Sequence, residues 1–277
     1  MQDVLSSLIQ GIGQGQITVV DLTQLLNANT PILELPEQWG QTIPFKLKEI
    51  SRYDDRGPGW YWNNFETGEH TGTHLDSPSH WVTGKDRDTV DTIPPSSLIG
   101  PAVVINMTEE CNQNPDALLT PEHLLDWESR HGQIPTGAWV LARTNWSSRF
   151  ADADSYKNLG TDGMSHVPGI SKEAADFMTQ QRDVLGVGVE TVGTDAGLAG
   201  TFDPPFPNHN IMHGAGRMGL TSLTNLDQLP EAGAVVIALP LKIEGGSGSP
   251  ARVVALVVKS SLIDRAQSSR NLPFSPN

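Results

Sequence analysis

Runs of consecutive apolar residues recur along the chain and predict β-strands that are buried on both faces. Such strands lack the alternation of apolar and polar positions that marks a half-exposed strand. The runs lie at residues 17–22, 101–106, 138–143, 185–190, 234–240 and 252–258. Helices are predicted before and between them, over residues 3–10, 121–130 and 171–182. Buried strands with interleaved helices predict a single α/β domain with a mixed sheet, spanning residues 1–277.

Polar and proline-rich segments separate these elements and predict loops. Residues 28–50 contain three prolines and read as an extended arm, while 84–95 and 149–169 read as surface loops. Prolines are expected to hold residues 202–214 in an open conformation. Residues 245–250 read as a flexible turn, and no Walker lysine follows to make it a phosphate loop. The polar tail from 259 to 277 has no predicted role.

Charge and cysteine content exclude several classes of protein. The formal net charge of the 277 residues is −14 and no basic stripe is present, which argues against nucleic acid and anionic membranes as partners. The one cysteine, Cys111, excludes an intramolecular disulfide and a cysteine-rich metal site. A basic segment followed by an apolar run is missing from the amino terminus, and no stretch of ~20 apolar residues occurs. A cytoplasmic enzyme is therefore expected.

Histidines are concentrated in one short stretch of the chain. Three of the eight histidines, His70, His74 and His80, fall within eleven residues, together with Asp76. Imidazole and carboxylate groups are the usual protein ligands of divalent metals in hydrolytic enzymes. Paired histidines at this spacing are also common on surfaces and in cores without any metal. The added carboxylate and third histidine favour the metal site.

The spacing of these residues predicts a bent, extended backbone. A straight strand would separate His70 and His74 by ~13 Å, too far for ligand atoms that must end ~3 Å apart. On a helix the two histidines would be neighbours, but Asp76 would point away. Gly72 permits a sharp bend that satisfies all three. His70, His74 and Asp76 would then hold one ion with positions open for water and substrate, as in catalytic sites.

His80 is the predicted general base and acid. It lies four residues beyond Asp76 and past a proline, so it need not face the metal. Imidazole titrates in the working range of most enzymes and can accept and return a proton.

Aromatic residues precede and follow the histidine stretch. Trp60, Trp62, Phe65 and Trp81 are candidates for a flat apolar pocket that binds an aromatic substrate. Core packing is the ordinary alternative for clustered aromatic side chains.

The pattern His-x-Gly-Thr-His-x-Asp-x-Pro-x-His resembles the signature of the cyclase-like, metal-dependent amide hydrolases, which include bacterial kynurenine formamidase. Its fixed positions are filled by His70, Gly72, Thr73, His74, Asp76, Pro78 and His80. The likeness extends from about residue 17 to 258. It implies a swivelling β/β/α fold and an amino-terminal arm, residues 1–50, that packs on a second subunit of a homodimer or higher homo-oligomer.

One departure from the family pattern bears on the number of metal ions. In the two-metal members, a later histidine, matched here by His209, binds the second ion together with a glutamate. No carboxylate occurs in residues 219–226, where the glutamate is expected, so we predict one metal. This departure resembles the isatin hydrolase branch of the family. The likeness implies Mn²⁺, with Zn²⁺ as the alternative, and implies that His209 and Ser222 relay protons or position the reacting group.

The resemblance implies hydrolysis of a small aromatic cyclic amide, isatin to isatinate, by water activated at the metal. Two alternatives stay open. One is a hydrolase of an aryl formamide or a cyclic imide, although the missing carboxylate argues against the formamidase. The other is a non-catalytic metal-binding protein, which would show a closed site with at least four protein ligands and no pocket.

Overall fold

Twelve β-strands and six α-helices are formed by residues 3–36 and 38–259, which the structure, a computed structural model, describes. The strands are β1 (Ile17–Asp21), β2 (Lys46–Asp54), β3 (Gly57–Glu66), β4 (His74–Asp76), β5 (Ile99–Asn106), β6 (Leu118–Leu119), β7 (Trp139–Arg143), β8 (Gly169–Ile170), β9 (Gly186–Val189), β10 (Met218–Thr221), β11 (Ala232–Pro240) and β12 (Gly248–Val258). The helices are α1 (Val4–Gly13), α2 (Thr108–Gln113), α3 (Pro121–His131), α4 (Ala153–Lys157), α5 (Lys172–Gln180) and α6 (Pro207–Gly214).

Eight strands form one mixed sheet in the order β1-β12-β11-β5-β7-β9-β10-β4. The strands β5, β7, β9 and β10 run parallel, and the remaining pairs are antiparallel. One edge of β12 pairs with β4 at its start and with β1 further along, while the other edge pairs with β11. The sheet therefore returns on itself through β4 and β12 in a barrel-like arrangement. The predicted α/β fold with a mixed sheet is confirmed.

The core lies on both faces of the central strands, which explains why β5, β7 and β9 read as continuous apolar runs. The outer strands β11 and β12 instead alternate between buried and more exposed positions. On β7, Trp139 and Leu141 join one buried cluster, and Val140 and Ala142 join the other. The second cluster also contains buried residues of α3 and α5, which cover that face. All six predicted strands belong to the main sheet.

Two of the helices begin at the expected residues, and a side chain caps the first turn of each. At α3, the Thr120 side chain accepts from the backbone of the third helical residue, and Pro121 occupies the first turn. At α5, the Ser171 hydroxyl accepts a hydrogen bond from the Ala174 backbone N–H. This helix ends at Gln180, two residues before the predicted end.

The sequence prediction was wrong in the segment from residue 46 to 66. The end of the predicted arm belongs to β2, which pairs with β3 in a two-stranded antiparallel sheet that was not predicted. Most side chains of this hairpin are exposed, so no alternation of buried and exposed positions marked it as a strand pair. The three prolines of residues 28–50 indicated an arm or loop instead.

Two further loop predictions need correction. Residues 149–169 contain the short helix α4 and lead into β8. Residues 202–214 are not held open throughout, because α6 begins at Pro207. Its first turn is capped by Asp195, a residue too distant along the chain for a sequence-based capping rule to find. The predicted tail lies outside the described residues except for Lys259.

None of the helices in the described part of the chain is long and apolar enough to cross a membrane.

Removing a buried leucine from β7 should strongly reduce stability. Leu141 is fully buried, and a Leu141→Ala variant should lower the free energy of unfolding by about 2–5 kcal/mol, because the cavity cannot fully collapse. Leu125 on α3 is 50% exposed, so Leu125→Ala should change the value by no more than about 0.5 kcal/mol. Urea unfolding of both variants provides the comparison, and equal losses would contradict the assigned burial.

Candidate metal centre and active site

The histidine motif lies where β4 closes the sheet. Gly72, just before β4, has a φ of 65°, so the bend expected from the sequence is present and uses a conformation that glycine adopts without strain. Along β4 the side chains alternate: Leu75 joins the core cluster, while His74 and Asp76 point to the opposite face. The bend brings the rings of His70 and His74 to a centroid distance of 5.2 Å.

Three ligand atoms converge at this bend. His70 Nδ1 lies 2.7 Å from Asp76 Oδ1, and His74 Nε2 lies 3.2 Å from the same oxygen. Bonds of about 2.0–2.2 Å to one ion would put ligand atoms about 3 Å apart. The donor set of His70, His74 and Asp76 therefore fits a divalent cation, as the sequence predicted.

The fold fixes which nitrogen of His74 can bind a metal. Its Nδ1 lies 2.8 Å from the Gly72 carbonyl oxygen, which can only accept a hydrogen bond. The ring proton therefore belongs on Nδ1, and Nε2 presents its lone pair toward Asp76. The Thr221 hydroxyl packs against the same ring, 2.8 Å from Nδ1 and 3.0 Å from Nε2.

The carboxylate of Asp76 is held in its charged form. Burial alone would raise the pKa of Asp76, but His74 and His70 together hold it well below its usual range. Burial also opposes the charge on His70, yet contact with Asp76 outweighs burial and raises the pKa of His70. A cation at this position would take the place of the proton between the two side chains.

Two more histidines from α6 complete the cluster. His209 and His213 form, with Asp76, a second group whose ligand atoms lie within 4.8 Å of one another. His209 Nδ1 lies 2.5 Å from Asp195 Oδ2, and His213 Nδ1 lies 3.0 Å from the Arg217 carbonyl oxygen. In both rings Nε2 is then the nitrogen with the free lone pair.

His213 is a site residue that sequence reasoning missed. The sequence pattern alone gives His213 no role in the site, since a single histidine more often makes a structural hydrogen bond. On a helix, residues 209 and 213 are neighbours on one face, and this spacing would have paired them. Its Nε2 is buried without a hydrogen-bond partner among the described residues. Burial lowers the pKa of His213 to about 4, so the ring is neutral near pH 7.

His80 lies beside the predicted metal ligands. It ends the short 3₁₀ turn Pro78–His80, and its ring centroid is 4.0 Å from that of His70 and 5.7 Å from that of His209. Burial lowers the pKa of His80 to about 3, which keeps its imidazole neutral. Among the described residues, no hydrogen bond engages either of its ring nitrogens.

The predicted aromatic residues fall into two places. Trp81 lies against the cluster, with ring centroids 4.7 Å from His209 and 5.6 Å from Phe206, and its Nε1 donates to Asn210. Trp60, Trp62 and Phe65 lie on the hairpin strand β3 and are more than half exposed. In the described part of this chain, no ring contact joins these three to the histidines.

Ser222 follows β10 and is buried in a polar network behind the cluster. Its hydroxyl lies 2.9 Å from the Tyr156 hydroxyl, which donates to the Glu190 carbonyl oxygen at 2.7 Å. The Ser222 carbonyl oxygen accepts a hydrogen bond from Thr73 Oγ1 at 2.6 Å. The structure thus joins Ser222 to the motif through Thr73.

Comparisons with known proteins agree with this geometry. The chain is 44% identical to isatin hydrolase of Roseibium aggregatum over 262 residues. The aligned segment covers 94% of this chain and 99% of that protein. The structure of isatin hydrolase A from Ralstonia solanacearum has a TM-score of 0.90 at 52% identity, covering 93% and 98% of the two chains. An isatin hydrolase bound to the product analogue thioisatinate also has a TM-score of 0.90, at 44% identity, covering 93% and 99%.

A family model described as a putative cyclase matches residues 20–196, more than half of the chain. The matched segment contains β4 and the whole histidine motif. With the identity to the Roseibium aggregatum enzyme, it confirms the resemblance that the motif indicated. The chain belongs to the cyclase family.

Proposed function

We propose that the chain hydrolyses isatin to isatinate by opening the lactam ring. The observation that carries this proposal is the cluster around Asp76, in a fold with a TM-score of 0.90 to an isatin hydrolase bound to thioisatinate. In the reaction, water oxygen bonds to the lactam carbonyl carbon and the carbon–nitrogen bond breaks. The ring nitrogen takes up a proton and leaves as an aromatic amine, so the product is an open-chain aryl-keto carboxylate.

A single divalent cation would be held by His70, His74 and Asp76. When bound, such an ion supplies a Lewis acid that polarises a carbonyl and makes water more acidic. Oxygen and nitrogen ligands with several open positions suit Mn²⁺ at least as well as Zn²⁺, and Mn²⁺ is our proposal. One ion is favoured because both histidine groups share one carboxylate. Two ions would leave a large uncompensated positive charge in a buried site.

His80 is the proposed general base and acid. Its neutral imidazole can accept a proton from the attacking water and return it to the departing ring nitrogen. Its ring lies beside the metal ligands without being grouped with them, which leaves its nitrogens available. His209, held by Asp195, and Ser222 are proposed to relay protons or to position the reacting group.

The aromatic side chains support an aromatic substrate and a second subunit. Trp81 supplies a ring next to His209, where a flat substrate could stack. We propose that Trp60, Trp62 and Phe65 also contact substrate, and that the hairpin and amino-terminal arm pack on a second copy in a homodimer. Large exposed apolar side chains on this hairpin support a subunit contact. A cytoplasmic location remains a prediction.

Isatin hydrolysis should depend on added metal. Metal-stripped protein should leave isatin unchanged. Restoring Mn²⁺ should convert isatin to a product that is heavier by one water, and mass spectrometry detects this gain. An aryl formamide and a cyclic imide assayed in parallel provide the comparison. Faster turnover of either one than of isatin would reject the proposed substrate.

Removing the proposed base should slow the reaction without releasing the metal. A His80→Ala variant should lose on the order of 10²–10⁴ in kcat, because proton transfer to the leaving nitrogen is no longer assisted. Metal content is measured on the same sample. His131→Ala, which removes a histidine at the end of α3, is the matched control and should retain activity. Full activity in His80→Ala would refute the role.

Manganese titration should give one binding equivalent. His74→Ala should abolish binding, because it removes a ligand of the proposed site, whereas His213→Ala should leave one equivalent. Isothermal titration calorimetry of each metal-stripped variant measures the number of Mn²⁺ equivalents that it binds. A second equivalent in the unsubstituted protein that disappears in His213→Ala would show that α6 helps to bind a second ion and contradict the one-ion proposal.

A further inference from the structure

The glycine- and serine-rich turn between β11 and β12, which the sequence analysis left without a role, lies against the metal ligands. Ser247 Oγ is 3.0 Å from His70 Nε2, on the ring edge opposite the contact with Asp76. Glu69, the residue before this histidine, accepts from the same serine hydroxyl at 2.7 Å. A chain of contacts therefore runs from Glu69 through Ser247 and His70 to Asp76.

The direction of each hydrogen bond in this chain follows from the donors available. A carboxylate can only accept, so the hydroxyl proton of Ser247 points to Glu69. The serine oxygen can then only accept from His70, which places the ring proton of that histidine on Nε2. A cation that replaces the proton between His70 Nδ1 and Asp76 Oδ1, which lie 2.7 Å apart, would then meet the lone pair of Nδ1.

The turn itself is fixed from several sides, so Ser247 is held in place. Its backbone N–H also donates to Glu69 Oε2 at 3.2 Å. Its carbonyl oxygen accepts from the backbone N–H and the hydroxyl of Ser77, at 2.9 and 2.8 Å. The next residue, Gly248, leaves room for the imidazole, because a Cβ there would come within 2.4 Å of His70 Cε1.

We infer that Glu69 and Ser247 are positioning residues that fix His70 in the tautomer whose Nδ1 binds the metal, and that they strengthen this nitrogen as a ligand. Outer partners of this kind orient metal-bound histidines in other sites and make them more basic. The inference rests on the metal-binding part of the proposed function and is independent of the substrate. The two side chains contribute differently. The Ser247 hydroxyl sets the tautomer of His70, and the negative charge of Glu69 strengthens the hydrogen bond that the hydroxyl donates.

Metal affinity tests this inference without reference to turnover. Ser247→Ala should raise the Kd for Mn²⁺ about 10–100-fold, measured by titration of metal-stripped protein. Glu69→Gln keeps an acceptor for the hydroxyl but removes the charge, so its Kd should rise less. Ser249→Ala is the matched control: it removes a buried hydroxyl at the start of β12, two residues beyond Ser247, and this hydroxyl contacts Leu241 and Pro250 but not His70.

The Ser249→Ala control distinguishes the loss of the Ser247 hydroxyl from a general disturbance of the surrounding backbone. An unchanged Kd in Ser247→Ala, or an equal rise in Ser249→Ala, would overturn the inference. Thermal unfolding of the metal-stripped variants verifies that each is folded. If the unsubstituted protein binds no metal at all, the proposed function fails, and this outcome is distinct from unchanged affinity in the variants.

Nitrogen NMR reads the tautomer directly and would not respond to a merely structural role. In protein loaded with diamagnetic Zn²⁺, the His70 ring should show a proton on Nε2 and a metal-bound Nδ1. The Nε2 proton should exchange faster with solvent in Ser247→Ala, because its acceptor is gone. Metal bound through Nε2 in the unsubstituted protein would reject the inference.

Discussion

The carboxylate of Asp76 is the negative charge around which the histidine cluster is built. It is 2% exposed, and a buried carboxylate is costly unless a cation or hydrogen-bond donors compensate it. His70 and His74 reach it from the motif, and His209 and His213 reach the same side chain from α6. The four imidazoles share one anion, so the position of this carboxylate determines where each ring nitrogen can act.

Strand pairing explains how a three-residue strand can hold this carboxylate in place. Both edges of β4 are paired, with β10 on one side and β12 on the other, so its backbone cannot shift without opening the sheet. The two cross-strand partners of Asp76 are Gly219 and Gly248. A Cβ on the first would lie 3.0 Å from Asp76 Oδ2, and one on the second would collide with the His70 ring. Closure of the sheet and space for the ligands thus depend on the same residues.

Local patterns in the sequence predicted the parts of the site that lie close together along the chain. The motif from His70 to His80 contains its own bend, its candidate ligands and its candidate base within eleven residues, so spacing and ligand geometry sufficed to single it out. The side chains that orient His70 and His209 are distant in sequence and could not be found in this way. Asp195 lies 14 residues from His209, and Ser247 lies 177 residues from His70. The hairpin of β2 and β3 was missed because exposed strands leave no apolar periodicity.

The hydrogen bonds of the five clustered rings separate four rings with a fixed tautomer from one without. In His70 and His74, one ring nitrogen makes a hydrogen bond to an oxygen that lies away from the metal position. His209 and His213 each have one ring nitrogen hydrogen-bonded to an oxygen as well. Each of these rings is therefore locked in one tautomer, with a lone pair directed inward. Among the described residues, no such hydrogen bond is made by the His80 ring. A metal ligand benefits from a fixed tautomer, whereas a group that takes up a proton and releases it must be free to change its protonation state. In the proposed function, the fixed rings of His70 and His74 therefore suit metal binding and the fixed ring of His209 suits positioning, whereas proton transfer suits His80.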